Sequence, residues 1–455
     1  MASAAGIRGL PGRQLISPVY AAIFLASLAA GAALFWLDGN PRALLLSAGG
    51  VLAVFLLLAF PELALALYVV VGDVKGDDRV ASLVPMDLTL VLAVVLTAGI
   101  ALNFLRGKRV VAMPAIYFLL LGLALLMTVS LAYTPVFAAG LEKLGRFLTV
   151  TAIAIVAPFF VLGTPRAMQR FVAGFAIAAY AICAYSLMEL GGEARLATPS
   201  NNTIGLGHIA CALIVLIWFA VVPRFSFPQR IFTYLLLIVP GVALIGSGSR
   251  GPAIALLAVL IVSLFFYRQL LLDLAFVVVT GILALPFLHV PASALDYLAT
   301  LAHGRNAGAL LSFRGELLEH GWKLLQQHPL LGAGIQGFRF HSPNAGVYNW
   351  PHNIFLEIAC EIGIPAAILA CLLFASTLRE SLRQLRDQVS PYLLLSQLAA
   401  ALLLVGIVNA VNTGDINSDR STWLFVSLVF VVRGLRSRAG VERKFHAQLN
   451  RPVPA

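Results

Sequence analysis

Trp350-Pro351-His352-Asn353-Ile354-Phe355-Leu356-Glu357-Ile358-Ala359-Cys360-Glu361-Ile362-Gly363-Ile364-Pro365 opens an apolar run that continues to Ser376. A run of this length predicts a helix over 353–376 that can cross a bilayer, which needs about 20 apolar residues. Yet two carboxylates sit inside it. Asn353, Glu357 and Glu361 follow one another at four-residue steps, so they share one helix face. Carboxylates one and two turns inside a spanning helix are costly and point to function. His352 stands at the membrane entrance, and an imidazole with an ordinary pKa of about 6.5 suits general-base work. The plainer alternative is an interfacial histidine beside an asparagine helix cap.

The same apolar pattern recurs along the chain. Of 455 residues, 60% are hydrophobic and 11% charged, where a soluble domain carries about 25% charged residues. The mean hydropathy is +0.93. Full spans are predicted near 18–37, 86–105, 113–132, 146–163, 168–189, 205–223, 229–246, 252–267, 271–289, 353–376, 391–411 and 421–434. The stretch 43–72 is also apolar, but Pro61-Glu62 splits it into a helical hairpin. The expected fold is all-α: a polytopic transmembrane bundle of about 12 full spans plus this short hairpin. The first apolar run, from Pro18 to Leu37, is longer than the apolar core of a cleaved signal peptide and is expected to remain as a helix.

The net charge is +11. Its placement argues against nucleic acid, because the Lys and Arg residues gather in short loops between apolar runs. With the N-terminus in the cytoplasm, every inner loop is basic: Arg106, Lys108 and Arg109; Arg166 and Arg170; Arg224 and Arg230; Arg268; Arg379, Arg383 and Arg386. The opposite loops are mixed or acidic, as in Asp73 to Arg79 and Asp415 to Arg420. Both termini are then cytoplasmic. The chain divides into an N-terminal bundle (1–289), a non-cytoplasmic loop (290–351), a C-terminal set of spans (352–434) and a basic tail (435–455). Within the loop, residues 312–327 predict an amphipathic helix with Ser312 as N-cap and His328-Pro329 as its end. Cys183, Cys211, Cys360 and Cys371 all fall in apolar runs without metal or disulfide spacing.

Three further groups are candidates for binding. Gly246-Ser247-Gly248-Ser249-Arg250-Gly251-Pro252 joins two spans; Arg250 offers a planar fork to a phosphate, or else only snorkels from a tight turn. Arg314 lies in the loop helix without an acidic residue at helical pairing distance, since Glu316 and Glu319 stand at i+2 and i+5. Lys143 and Arg146, three apart, share a face if their helix starts early, and both also suit an interfacial anchor. Asn201 and Asn202 read as helix caps ahead of His208. Asp415, Asn417 and Asp419 begin like a calcium loop, but Arg420 stands where that loop needs glycine and its final glutamate is missing. The sequence carries no Walker motif, no G-x-G-x-x-G after a strand and no D-x-D motif in an external loop, so no metal or cofactor is expected.

Taken together, Ser249-Arg250-Gly251 after a span, a long external loop with Arg314, and Pro351-His352-Asn353 leading into a helix with Glu357, Glu361, Gly363 and Pro365 resemble the O-antigen ligase and polymerase superfamily. The similarity runs from about residue 60 to 430 and lies in order and spacing. It implies a bacterial inner-membrane glycosyltransferase of GT-C-like fold with a helical periplasmic loop, working on the periplasmic face. Such enzymes take a glycan from undecaprenyl diphosphate. Ligases pass it to lipid A–core oligosaccharide, and polymerases extend another lipid-linked glycan. By position, His352 is implied as the base, Arg250 and Arg314 as holders of the diphosphate, and Lys143, Arg146, Asn353 and Glu357 as further substrate contacts. A ligase is the favoured member, ahead of a polymerase and a protein O-oligosaccharyltransferase. A membrane transporter is the alternative from another class, with Pro61 and Pro240 as its helix breaks; the absence of internal repeats in the sequence argues against it.

Overall fold

A computed structural model describes residues 41–75, 87–189, 195–266, 307–342, 350–388 and 390–449, and among them every regular element is helical. In chain order these are α1 (Pro41–Ala59), α2 (Pro61–Val70), α3 (Leu88–Leu105), α4 (Phe118–Ser130), α5 (Phe137–Arg146), α6 (Ala152–Val161), α7 (Pro165–Ser186) and α8 (Thr203–Leu216). There follow α9 (Phe227–Leu235), α10 (Ile238–Ser247), α11 (Arg250–Phe266), α12 (Ala307–Gln327), α13 (Gly337–His341), α14 (Ile354–Ile362), α15 (Ile364–Arg386), α16 (Leu393–Asn412) and α17 (Arg420–Leu449).

Among the described residues, six helices are long and apolar enough to cross a membrane, and a seventh span is added if the bent pair α1–α2 counts as one. These match the expected spans at 86–105, 146–163, 168–189, 205–223 and 391–411. The expected spans at 113–132, 229–246 and 252–267 form shorter apolar helices. Those at 18–37 and 271–289 lie outside the described residues. Large apolar side chains stand exposed in i, i+4 pairs, such as Leu90 with Val94 and Leu121 with Leu125, which is the composition of a surface solvated by lipid rather than water.

Three sequence expectations need correction. The span at 353–376 is not one helix. It breaks at Gly363, whose φ of 101° is open to glycine and strained for other residues, and where a Cβ would collide with the Leu330 carbonyl oxygen. The span expected from 146 begins at Phe137, with a π-helical turn at Phe147–Thr151 that joins α5 to α6. The charges at 142–146 had marked a helix end, but Lys143 is neutralised by partners from α14, so the helix runs through it. Ser312 is not an N-cap, because α12 starts five residues earlier, at Ala307. The expected stop at Gln327 holds. The split at Pro61 also holds: α1 and α2 meet at a bend of 113°, since proline lacks the N–H and disfavours helix in the residue before it.

The bundle has two polar ends. One gathers the basic loops: Arg438 donates to Gly163 O and Val110 O, Arg436 pairs with Asp387 at 2.6 Å, and Arg170 pairs with Glu62 at the α1–α2 bend. The other gathers the ends of α2, α8, α14 and α16. A separate small core sits over this second end, where Leu317, Leu324, Leu325 and Phe338 of the loop pack on Ala359 and Cys360 of α14.

Candidate functional site

At the start of α14, Asn353 has extended backbone and its Oδ1 accepts a hydrogen bond from Leu356 N at 3.0 Å. It is an N-cap, as in the plainer of the two sequence readings. His352, just before it, is held at φ 57°, the left-handed region that a residue with a Cβ enters at a cost of about 1–2 kcal/mol. Such strain persists only where surrounding structure enforces it, and it clusters at functional sites. Here the cap at Asn353 on one side and Pro351 on the other fix the chain. The ring lines a cavity of about 250 Å³ between the end of α2, the start of α8 and the 413–421 turn. Burial pushes the imidazole below its ordinary pKa of 6.5; the charge of Arg314 adds to this, while the Thr413 main chain and Asp415 oppose it. The ring is therefore neutral at neutral pH.

The Gly246–Pro252 turn reaches the same place. Gly248 ends α10 in the left-handed region at φ 58°. Arg195 Nε donates to Ser247 O at 2.7 Å, and Ser249 Oγ donates to Thr203 O at 2.9 Å, so the turn is pinned to α8. A Cβ on Gly251 would lie 2.8 Å from Thr413 Cγ2, which shows how closely the turn abuts the end of α16. Thr413 Oγ1 also shares a hydrogen bond of 2.9 Å with His208 Nε2. Arg250, half-buried at the first position of α11, thus stands beside the residue that meets His352. Arg314, half-buried on α12, completes this group. His352 and Thr413 line one cavity, the charge of Arg314 reaches the His352 ring, and the turn that carries Arg250 packs against Thr413.

Lys143 and Glu357 behave differently. Lys143 Nζ lies 2.6 Å from Glu357 Oε1 and 2.6 Å from Glu361 Oε2, with side-chain exposures of 9%, 2% and 1%. The second Glu357 oxygen accepts from Ile416 N at 3.0 Å, and Glu361 Oε2 also accepts from Gln336 N at 2.9 Å. The two glutamates on one face of α14 therefore bind a lysine of α5, and they tie the loop and the 415–418 turn to the bundle. Lys143 and Glu357, expected among substrate contacts, pair with each other, and both line a second cavity. Arg146 does share the helix with Lys143, but it pairs with Glu142 at 2.6 Å in a largely exposed contact. It lines the same second cavity, of about 220 Å³, with Lys143, Gln336 and Arg339. Trp350, Asp415 and Ser418 line both cavities and form the wall between them.

Several of these residues carried little sequence signal. Asp415 Oδ1 accepts from Asn417 N at 2.7 Å and Ser418 N at 3.0 Å, and Asp419 caps α17 through Thr422 N at 3.3 Å. Their calcium-like spacing is thus the spacing of a turn and a helix cap. Asn202 caps α8, accepting from Gly205 N at 2.9 Å, as its sequence position indicated. Asp73, Arg339 and Arg195 had no local pattern, because their neighbours come from elements far along the chain.

Residues 232–371 match the family model described as O-antigen ligase. The matched stretch includes Arg250, Arg314, His352 and Glu357, and so most of the site. No curated protein matches the chain. The match is confined to this stretch and supports glycosyl transfer as the coarse activity.

Proposed function

We propose that the protein is an O-antigen ligase, which moves a glycan from undecaprenyl diphosphate to lipid A–core oligosaccharide on the periplasmic face of the bacterial inner membrane. The observation that carries this reading is a strained His352 on the wall of a cavity, its ring within reach of the Arg314 charge, while the turn that bears Arg250 packs on Thr413 of the same wall. A polyprenyl donor keeps its tail in lipid and its diphosphate at the interface, so its site needs cations where the bundle meets water. Arg250 and Arg314 suit that role, because guanidinium groups bind phosphate oxygens in pairs and stabilise charge that grows on a departing diphosphate.

His352 takes the proton of the acceptor hydroxyl as that oxygen attacks the anomeric carbon. The bond from this carbon to the diphosphate oxygen breaks, its electrons leave with the diphosphate, and the configuration at carbon inverts. A general base of this kind contributes a factor of about 10²–10⁴. The diphosphate is already a good leaving group, so the step asks for no nucleotide.

A lipopolysaccharide gel of a strain lacking the protein tests the reading. Loss of all polymer-bearing bands, with lipid-linked polymer accumulating, is the expected result. Retention of a single repeat unit on the core assigns the protein to the polymerases instead. Complementation with His352→Ala at wild-type expression should leave the gel unrestored; full restoration removes the base from the mechanism.

A further inference from the structure

The two cavities on either side of the Trp350–Asp415–Ser418 wall differ in charge. The second mixes Lys143, Arg146 and Arg339 with the carboxylates of Glu142, Glu357 and Asp415. The first, which contains His352, holds the carboxylates of Asp73, Asp415 and Asp419, and among the described residues no Lys or Arg lines it. Its lining also includes the apolar Val70, Phe175 and Ala212 and the polar Asn202 and Ser418. At about 250 Å³ it has room for roughly eight waters of about 30 Å³ each, the scale of one sugar ring.

Resting on the glycosyl-transfer reading above, we propose that this cavity is the acceptor-sugar subsite, and that it selects a pyranose without negative charge, neutral or amino-bearing. His352 lines it, so the hydroxyl that loses its proton has to enter it. Both Asp419 oxygens are engaged by Ser421 and Thr422. Asp415 is 5% exposed and its Oδ1 is held by the turn, but its Oδ2 makes no hydrogen bond among the described residues. A carboxylate oxygen can only accept, so it calls for an O–H or N–H donor. Asp73 Oδ1 accepts a single long hydrogen bond of 3.4 Å from Asn202 and has the same capacity, although the nearby Arg420 charge offsets part of its own. Trp350 Nε1 is buried without an acceptor among the described residues, and a sugar hydroxyl supplies one. A pyranose has donors for the carboxylates, an acceptor for the indole, and C–H faces for the apolar side. A carboxylated sugar would meet the same aspartates as a like charge, which costs affinity.

The test uses the full chain in nanodiscs and reads carbethoxylation of His352 by diethyl pyrocarbonate, site by site, with mass spectrometry. Methyl glucoside and methyl glucosaminide should protect His352. Methyl glucuronide should need a concentration about tenfold higher. Asp73→Asn should shrink that ratio by at least half its logarithm. Equal protection by glucoside and glucuronide in the wild type overturns the charge selection, as does protection by none of the three sugars. Better protection by glucose 1-phosphate than by methyl glucoside moves the cavity to the donor and overturns the acceptor assignment. Because protection needs no turnover, these outcomes are separate from the gel result: a protein that shows the expected protection but transfers no glycan loses the ligase reading, not the sugar subsite.

Discussion

The Lys143 centre and the His352 centre share a wall and began with the same sequence signal, an ionisable residue next to or inside an apolar helix. They differ in how that residue is satisfied. Lys143 is closed in by two carboxylates of the same chain, and those carboxylates are tied in turn to Ile416 N and Gln336 N. His352 faces a cavity, with a strained backbone and a depressed pKa. A charge in a membrane helix therefore marks a need for partners. Where carboxylates of the chain neutralise the charge it holds elements together, and where a neutral ring lines a cavity it can also meet a ligand.

The largest expected effect is at the closed centre. Lys143→Ala leaves two buried carboxylates without a counter-charge, and removal of one partner of a buried pair costs about 3–5 kcal/mol. Thermal unfolding in detergent should show a severe loss of folded protein. Lys143→Met combined with Glu357→Gln and Glu361→Gln should recover most of it, because neutral groups no longer need compensation. A stable but inactive Lys143→Ala would erase the contrast and return Lys143 to the substrate contacts.

At the open centre the expectation inverts. His352→Ala should lower turnover by about 10²–10⁴ and leave the unfolding temperature near that of the wild type. The pH profile sharpens this. The base must be neutral to accept a proton, and its pKa lies below 6.5. Turnover should stay level through neutral pH and fall only as the medium becomes acid enough to protonate the ring. A fall that begins above pH 7 would contradict the buried, arginine-flanked environment. A smaller effect comes from the backbone: His352→Gly relieves the left-handed strain and should raise stability by about 1 kcal/mol while abolishing transfer. The smallest is Arg146→Ala, whose pair with Glu142 is about two-thirds exposed; a change in stability beyond about 1 kcal/mol would be unexpected for a screened surface pair.

Helix class and several spans were legible because apolar length alone dictates them. The break at Pro61 was legible too, since proline acts locally. The break at Gly363 was not. Glycine inside an apolar run is tolerated in many helices, and what forces the turn here is the approach of Leu330, which no local pattern reveals. In the site, His352, Arg250 and Arg314 were visible as candidates, and the structure puts the Arg314 charge within reach of His352 and the turn bearing Arg250 against Thr413. The partnership of Lys143 with Glu357 and Glu361 spans more than two hundred residues of sequence, so spacing within one helix could name the glutamates but not their partner. Asp415 and Asp73 were hidden for the same reason.

The small core formed by Leu317, Leu324, Leu325 and Phe338 on Ala359 and Cys360 sets an order of birth. The ribosome makes residues 307–342 before the helix that covers them exists. At roughly 5–20 residues per second, the apolar face of α12 waits several seconds for α14 and α15 to emerge and enter the bilayer. During that interval the nascent chain displays an unburied greasy surface to whatever chaperone or membrane lies nearby. Maturation of this end of the bundle thus waits on insertion of the helix pair that starts at Ile354, and a ribosomal pause or truncation just before that point would strand the segment without a docking partner.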